Sequence, residues 1–257
     1  MKNIVLLASV VVFASCGVNH DSTQSRKNTD LIQQNLKGKV EVMEEHIVNY
    51  DSTGKAKGDS SVNTTHFNPE GYITSVSGKD SSGKTTWEQA MSHNAAGFVT
   101  EMKSFKNGKP TSTVSITSND SAYLEAKTFD STGKQDGYYT DLKTNAYGQV
   151  FSGTEHFMNG KVKSTFESNY EDAFYVGGKS TDSTGKTSYE GTAKKNDQGF
   201  LAEEHYMTLE KDSSIMHDNT YKYGSMDEKG NWIQRTAFDG KGKQTNQVTR
   251  VITYYKD

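Results

Sequence analysis

The chain has 257 residues, 29 Lys plus Arg against 32 Asp plus Glu, and a formal charge of −3. No basic stripe argues for nucleic acid, and no like-charge block suggests a solvating tail. Leu, Ile, Val and Phe make up only about 17% of the residues, below the roughly 20% associated with disorder. Charge balance and 14 Tyr argue instead for a folded chain with a thin core of aromatic and β-branched side chains.

In chain order, Lys2 comes first, followed by an apolar run from Ile4 to Phe13 and then small residues. This pattern predicts a secretory signal peptide over 1–15, shorter than the about 20 apolar residues needed to span a bilayer. The junction Phe13-Ala14-Ser15-Cys16 resembles the lipobox of bacterial lipoproteins, with Phe where Leu is more frequent. Cys16 is the sole cysteine, so an internal disulfide is impossible. The resemblance implies cleavage before Cys16, a diacylglyceryl thioether and an acylated, palmitate-type amine, with membrane lipid as partner. No Asp follows the cysteine directly, which in such lipoproteins implies the outer membrane. A single acidic residue among Gly17–Asp21 favours the periplasmic face slightly over the cell surface. Residues 16–38 read as a lipidated cysteine and polar tether, with a short helical turn near Leu31–Leu36.

Residues 39–257 read as one β-repeat domain. Asp51–Lys55, Asp130–Lys134 and Asp182–Lys186 all spell DSTGK, and Asp80–Lys84 spells DSSGK. Further turns read NPEG, NAAG, NAYG, NDQG, DEKG and DGKG. An Asx side chain bonds backbone N–H groups further along the turn, and the closing Gly takes positive φ. Between turns the pattern has period two, as in GFVTEMKSF and NWIQRTAF, which predicts antiparallel strands of eight to ten residues. Alternation places Trp232, Gln234, Thr236 and Phe238 on one face. The order DSSGK/NAAGF/FKNGK from Asp80 returns from Asp130 and, with the related HYMTLEKD in third place, from Asp182, a period of about 50 residues. The expected fold is all-β: a meander of antiparallel hairpin repeats forming a twisted, elongated sheet, coiled or curled into a half-barrel.

The units YDSTGK, FNPEGYI, FDSTGKQ and MDEKGNWIQR resemble the YD-repeats of RHS-type proteins and of many Bacteroidota lipoproteins, over roughly 50–257. That resemblance implies stacked β-hairpins and does not imply an enzyme.

Candidate chemistry is sparse. The DSTGK loops offer one carboxylate each, too few for a calcium loop. Asp-Ser/Thr followed by a small or apolar residue resembles the O-glycosylation acceptor of exported Bacteroidota proteins, and nominates Ser22, Ser52, Ser121, Ser131 and Ser183. His66, His93 and His156 precede turns and invite a ladder, but no metal-ligand spacing supports one and no cofactor is expected. Glu44-Glu45 and Glu203-Glu204 are adjacent in strands and point to opposite faces, so neither forms an acid/base couple. No hydrolase elbow, phosphate loop or zinc-protease motif occurs, and the chain reads as a non-enzyme. Trp87, Tyr138 and Tyr139 are candidate ligand-contact aromatics. The expected function is a non-catalytic envelope scaffold or protein-binding module, its partner an envelope protein or glycan. The alternatives are a surface glycan- or host-ligand-binding lipoprotein and a hydrolase with a site assembled across repeats. Open sheet edges favour the scaffold, by strand addition.

Overall fold

The computed structural model describes residues 29–256 apart from 59, 120, 146, 211 and 212. The signal peptide, Cys16 and Ser22 lie outside the described residues. One helical turn, α1 (Asp30–Gln33), precedes sixteen strands. The first eight are β1 (Val40–Asn49), β2 (Ser61–Phe67), β3 (Ile73–Lys79), β4 (Thr85–His93), β5 (Val99–Lys106), β6 (Lys109–Ser118), β7 (Tyr123–Asp130) and β8 (Gln135–Thr144). The rest are β9 (Val150–Phe157), β10 (Val162–Glu171), β11 (Phe174–Asp182), β12 (Thr187–Lys195), β13 (Leu201–Glu210), β14 (Ser213–Tyr223), β15 (Gln234–Asp239) and β16 (Gln244–Tyr254).

Each strand pairs antiparallel with its sequence neighbours, and β1 pairs with β16, closing the sheet into a barrel. The meander is as expected, but the elongated, coiled or half-barrel sheet is not. Closure depends on whether the first strand finds the last, here in register from Val42–Thr253 to Asn49–Asn246, and strand-by-strand alternation is the same in either case. Closure also removes the edges on which strand addition depends.

Turns alternate between two ends. All the DSTGK and DSSGK turns lie at one end, which forms a rim, and NPEGY, NAAGF, NAYGQ, NDQGF and DEKGNW lie at the other. The 50-residue period is four strands, and D-x-x-G-K recurs at β3–β4, β7–β8, β11–β12 and β15–β16. In the Asp130 turn, Asp130 Oδ1 accepts from the Thr132 N–H (2.8 Å), the Thr132 hydroxyl (2.6 Å) and the Lys134 N–H (3.1 Å), while Gly133 sits at φ +83°. The Thr132 hydroxyl, then its N–H, hold the Asp130 carboxyl below its ordinary pKa. Asp51, Asp80 and Asp182 repeat this arrangement.

The other end is capped. Its turns fold apolar residues inward, so Phe98, Tyr123, Val150, Phe200 and Trp232 are all buried. The segment from α1 to Lys39 bridges turns there. Asp30 Oδ2 accepts from the Ile73 N–H (2.7 Å), Asn35 Nδ2 donates to the Gln198 carbonyl (3.5 Å), and Asn231 exchanges bonds with the Lys37 backbone (2.7 and 3.0 Å). Leu31 and Leu36 join Val40, Met43, Phe67 and Ile73 in one apolar cluster. Removing that apolar area from water, at about 25 cal/mol per Å², is what holds so short a helix in place.

Candidate functional site

Strand registers carry a single parity around the ring. Met43, Thr65, Val76, Gln89 and Ser104 follow one another across β1 to β5, as do Glu44, Thr64, Ser77, Glu88 and Phe105. Buried Met43, Ile116, Ala126, Ala237 and Val248 identify the first set as inward. Alternation therefore sends Glu45 and Glu204 into the barrel and Glu44 and Glu203 to the outside.

The outer wall is charged at mid-strand. Glu167, Lys179 and Glu190 stand abreast on β10, β11 and β12. Lys103 pairs with Glu101 (2.7 Å), Lys194 with Glu203 (2.8 Å) and His205 with Asp218 (2.8 Å). A lipid-facing wall needs an apolar band, and a Lys at the bilayer midplane costs roughly 2–4 kcal/mol. This wall is built for water.

The inner wall differs along its height. Near the cap it is dry, whereas inward Trp87, Phe157 and Ile215 near the DSTGK rim remain 37%, 42% and 37% exposed. Water thus reaches the lumen from the rim.

Along β10 to β16 the inner wall is aromatic and polar. Tyr170 meets Tyr175 edge-on (5.8 Å), the Tyr175 and Tyr189 hydroxyls bond (3.1 Å), and Tyr206 stacks on His217 (4.5 Å). Gly178 and Gly191 lie beneath these rings, and a Cβ on Gly191 would stand 2.6 Å from the Tyr189 hydroxyl. Next to them runs an alternating chain of acid, ring and guanidinium. The Tyr221 hydroxyl donates to Glu204 Oε2 (2.8 Å), and the Arg235 guanidinium lies 5.0 Å from the Tyr221 ring centre and 5.2 Å from that of Trp232. Arg250 lies 3.3 Å from the Trp232 centre and donates to Glu45 through Nε (3.0 Å) and Nη2 (2.9 Å). Burial lowers the Arg250 pKa to about 10 against the opposing pull of Glu45. Burial, then Glu204, raises that of Tyr221. Arg235 Nε, Arg250 Nη1 and Asn246 Oδ1, on inward positions of β15 and β16 that surround Val248, have no hydrogen-bond partner among the described residues. Such a wall offers flat rings, acceptors and donors to a polar ligand.

The residues nominated from sequence scatter. Trp87 lies inward over Gly78, while Tyr139 faces inward with its pKa raised by burial and then by Glu155. Tyr138 points outward and stacks on His156 (4.8 Å). The three do not form one site. Trp232 does not share a face with Gln234, Thr236 and Phe238. The chain is irregular at Ile233, before β15 begins, so Trp232 sits inside with Arg235. Ser52, Ser131 and Ser183 are exposed on the rim, while Ser121 lies in a turn at the capped end, its hydroxyl donating to Asn119 (3.0 Å). The tyrosine–arginine wall was missed. Its only trace in sequence is the tyrosine parity of β11 to β14, which acquires meaning once register is known. Among the described residues no group of three or more His, Cys, Asp or Glu is placed to hold a metal.

No protein-family model and no curated protein matches the chain. Among solved structures it is similar to a porin-like protein from Bacteroides uniformis, at 14% identity and TM-score 0.56, covering 83% of this chain and 96% of that one. A porin-like protein from Bacteroides vulgatus aligns at 9% identity and TM-score 0.35 over 82% and 98% of the two chains. A TcdB2-TccC3 structure aligns at 11% and 0.26 over 78% of this chain and 15% of that one. The first likeness is one of fold; the other two are too weak to define one. By fold, the chain is a closed, sixteen-stranded antiparallel barrel.

Proposed function

We propose that this chain is a non-catalytic binding protein of the cell envelope, tethered through lipid on Cys16, with a sugar-type polar ligand held in the lumen. The observation that carries this reading is the pairing of a charged outer wall with an aromatic inner wall on a barrel without edges. Rings and paired polar groups suit the apolar faces and hydroxyls of a saccharide. Inward carboxylates are held by neighbours: Glu45 by Arg250, Glu204 by Tyr221, and Glu155 by Lys163 and Ser164. That supports binding over hydrolysis. Shared fold with a porin-like protein is no reason to carry a lipid-spanning pore over to this chain, because this outer wall bears charge where lipid would lie.

Thr29 enters at the capped end, and thirteen residues from Cys16 reach at most about 45 Å. In this reading the lipid on Cys16 joins the barrel at its cap, which sets the cap nearer the membrane than the rim. Ser52, Ser131 and Ser183 stand on that rim with exposed hydroxyls, whereas Thr53, Thr132 and Thr184 donate to their own turn Asp. This supports the serines as the positions a glycosyltransferase would use.

The test uses Trp232 as reporter in a Trp87→Phe background. Titrating maltohexaose, cellohexaose and xylohexaose is expected to give saturable emission changes with one of them, abolished by Arg235→Met or Tyr206→Ala. No response at millimolar sugar, or undiminished binding by folded variants, overturns the lumen reading. Palmitate labelling of the protein and of Cys16→Ala tests the anchor. Protease shaving of intact cells tests the face.

A further inference from the structure

The lysines of the repeated turns, scattered in sequence, meet in space. Counting strand ends and turns at the rim, the described residues include twelve lysines, one or two at each turn other than β13–β14, from Lys55 and Lys57 to Lys241 and Lys243. Against them stand six aspartates and one glutamate: Asp51, Asp80, Asp130, Asp136, Asp182, Asp239 and Glu210. The described residues of the rim therefore carry a net charge of +5 (12 − 7).

The aspartates do not neutralise this ring by direct pairing. Five of the six spend one oxygen on their own turn's N–H groups. Lys55, Lys84, Lys109, Lys134, Lys161 and Lys241 are exposed and have no ion pair within 4 Å among the described residues.

We infer that the rim is a docking surface for an acidic polysaccharide. Sixteen strands about 4.8 Å apart and tilted about 40° close into a ring roughly 30 Å across, which places neighbouring turns roughly 12 Å apart. That exceeds the Debye length of about 8 Å at physiological salt. A single small anion senses one turn, whereas a polymer bridging several gains from each. The cations are lysines without an arginine, point charges rather than the planar fork suited to phosphate. Tyr50 of the β1–β2 turn is half-buried and donates to Gln247 (3.2 Å), and exposed Trp87 and Phe157 face the lumen, an arrangement poorly suited to stacking a base on the lysine ring. Carboxylates spaced along a flexible chain fit these features best. The membrane that would hold Cys16 lies nearer the opposite end, a point that rests on the lipid-anchor reading; the charge count does not.

The test is binding of polygalacturonate to the mature chain at low and physiological salt, beside duplex DNA and phosphatidylserine vesicles. Polygalacturonate is expected to bind, with affinity falling steeply as salt rises. The combined Lys84→Gln, Lys134→Gln and Lys241→Gln variant is expected to lose affinity roughly a hundredfold, about fivefold per lysine. All three side chains are exposed, so its melting curve is expected to match the parent. Lys229→Gln at the capped end is expected to bind as the parent does. Absence of binding, equal binding by the triple variant, or preference for DNA or vesicles overturns the assignment. Loss of lumen binding in Arg235→Met leaves this result unchanged, so the two readings fail separately.

Discussion

Replacing Glu45 with Gln tests how the barrel is closed. Glu45 on β1 stands opposite Arg250 on β16, the two strands that complete the ring. Its Oε1 accepts from Arg250 Nε (3.0 Å) and Nη2 (2.9 Å), and Arg250 is only 8% exposed. Removing the carboxylate strands a guanidinium against Trp232 with no anion to offset its burial. Breaking a buried pair in this way costs about 3–5 kcal/mol. Glu45 itself is 21% exposed, so water softens the loss and the lower end, about 3 kcal/mol, is expected. For a domain of this size that is a drop in Tm of roughly 6–12 °C. Adding Arg250→Met removes the orphan charge and is expected to restore most of the loss, since an apolar replacement of a buried pair is often neutral. Thermal melts of parent, single and double variants measure both effects, and hydrogen exchange at the β1–β16 amides localises them. A loss below about 1 kcal/mol in the single variant, or a double variant no more stable than the single, would refute the argument.

Three further outcomes follow from the same geometry. Lys194→Gln breaks the exposed pair with Glu203 and is expected to cost less than about 1 kcal/mol in a denaturant titration, showing that the outer wall's charges serve solubility rather than stability. Gly97→Ala is expected to destabilise more than Gly133→Ala. Both sit at positive φ, near +85° and +83°, but a Cβ on Gly97 would lie 2.3 Å from Tyr72 and one on Gly133 meets nothing within 4 Å; equal melting temperatures would contradict this. The turn carboxyls titrate below their ordinary value, so their contribution to turn order is complete above pH about 4 and falls as pH drops through the depressed native pKa. Amide shifts of Thr132 and Lys134 followed by NMR should report this, and Thr132→Val should move the Asp130 midpoint upward, because the Thr132 hydroxyl is the largest stabiliser of the anion.

Much of the architecture could be read from local chemistry. An Asx residue three positions before Gly, flanked by alternating β-formers, specifies a hairpin turn wherever it occurs. The strands, their antiparallel order and the four-strand period follow from repeating it. Adjacent glutamates at 44–45 and 203–204 had to part to opposite faces, because a strand has period two. Where the chain leaves that period, as at Ile233, the prediction for Trp232 failed with it.

What the sequence determines by itself is therefore short-range: turn type, strand direction, and which residues share a side of one strand. Three things awaited the tertiary structure: that β16 returns to β1, that one side became a lumen, and that dispersed lysines form a ring. Each depends on pairing between residues as far apart as Glu45 and Arg250, where the outcome is set by the summed energy of sixteen registers closing together. No single strand carries a record of that sum.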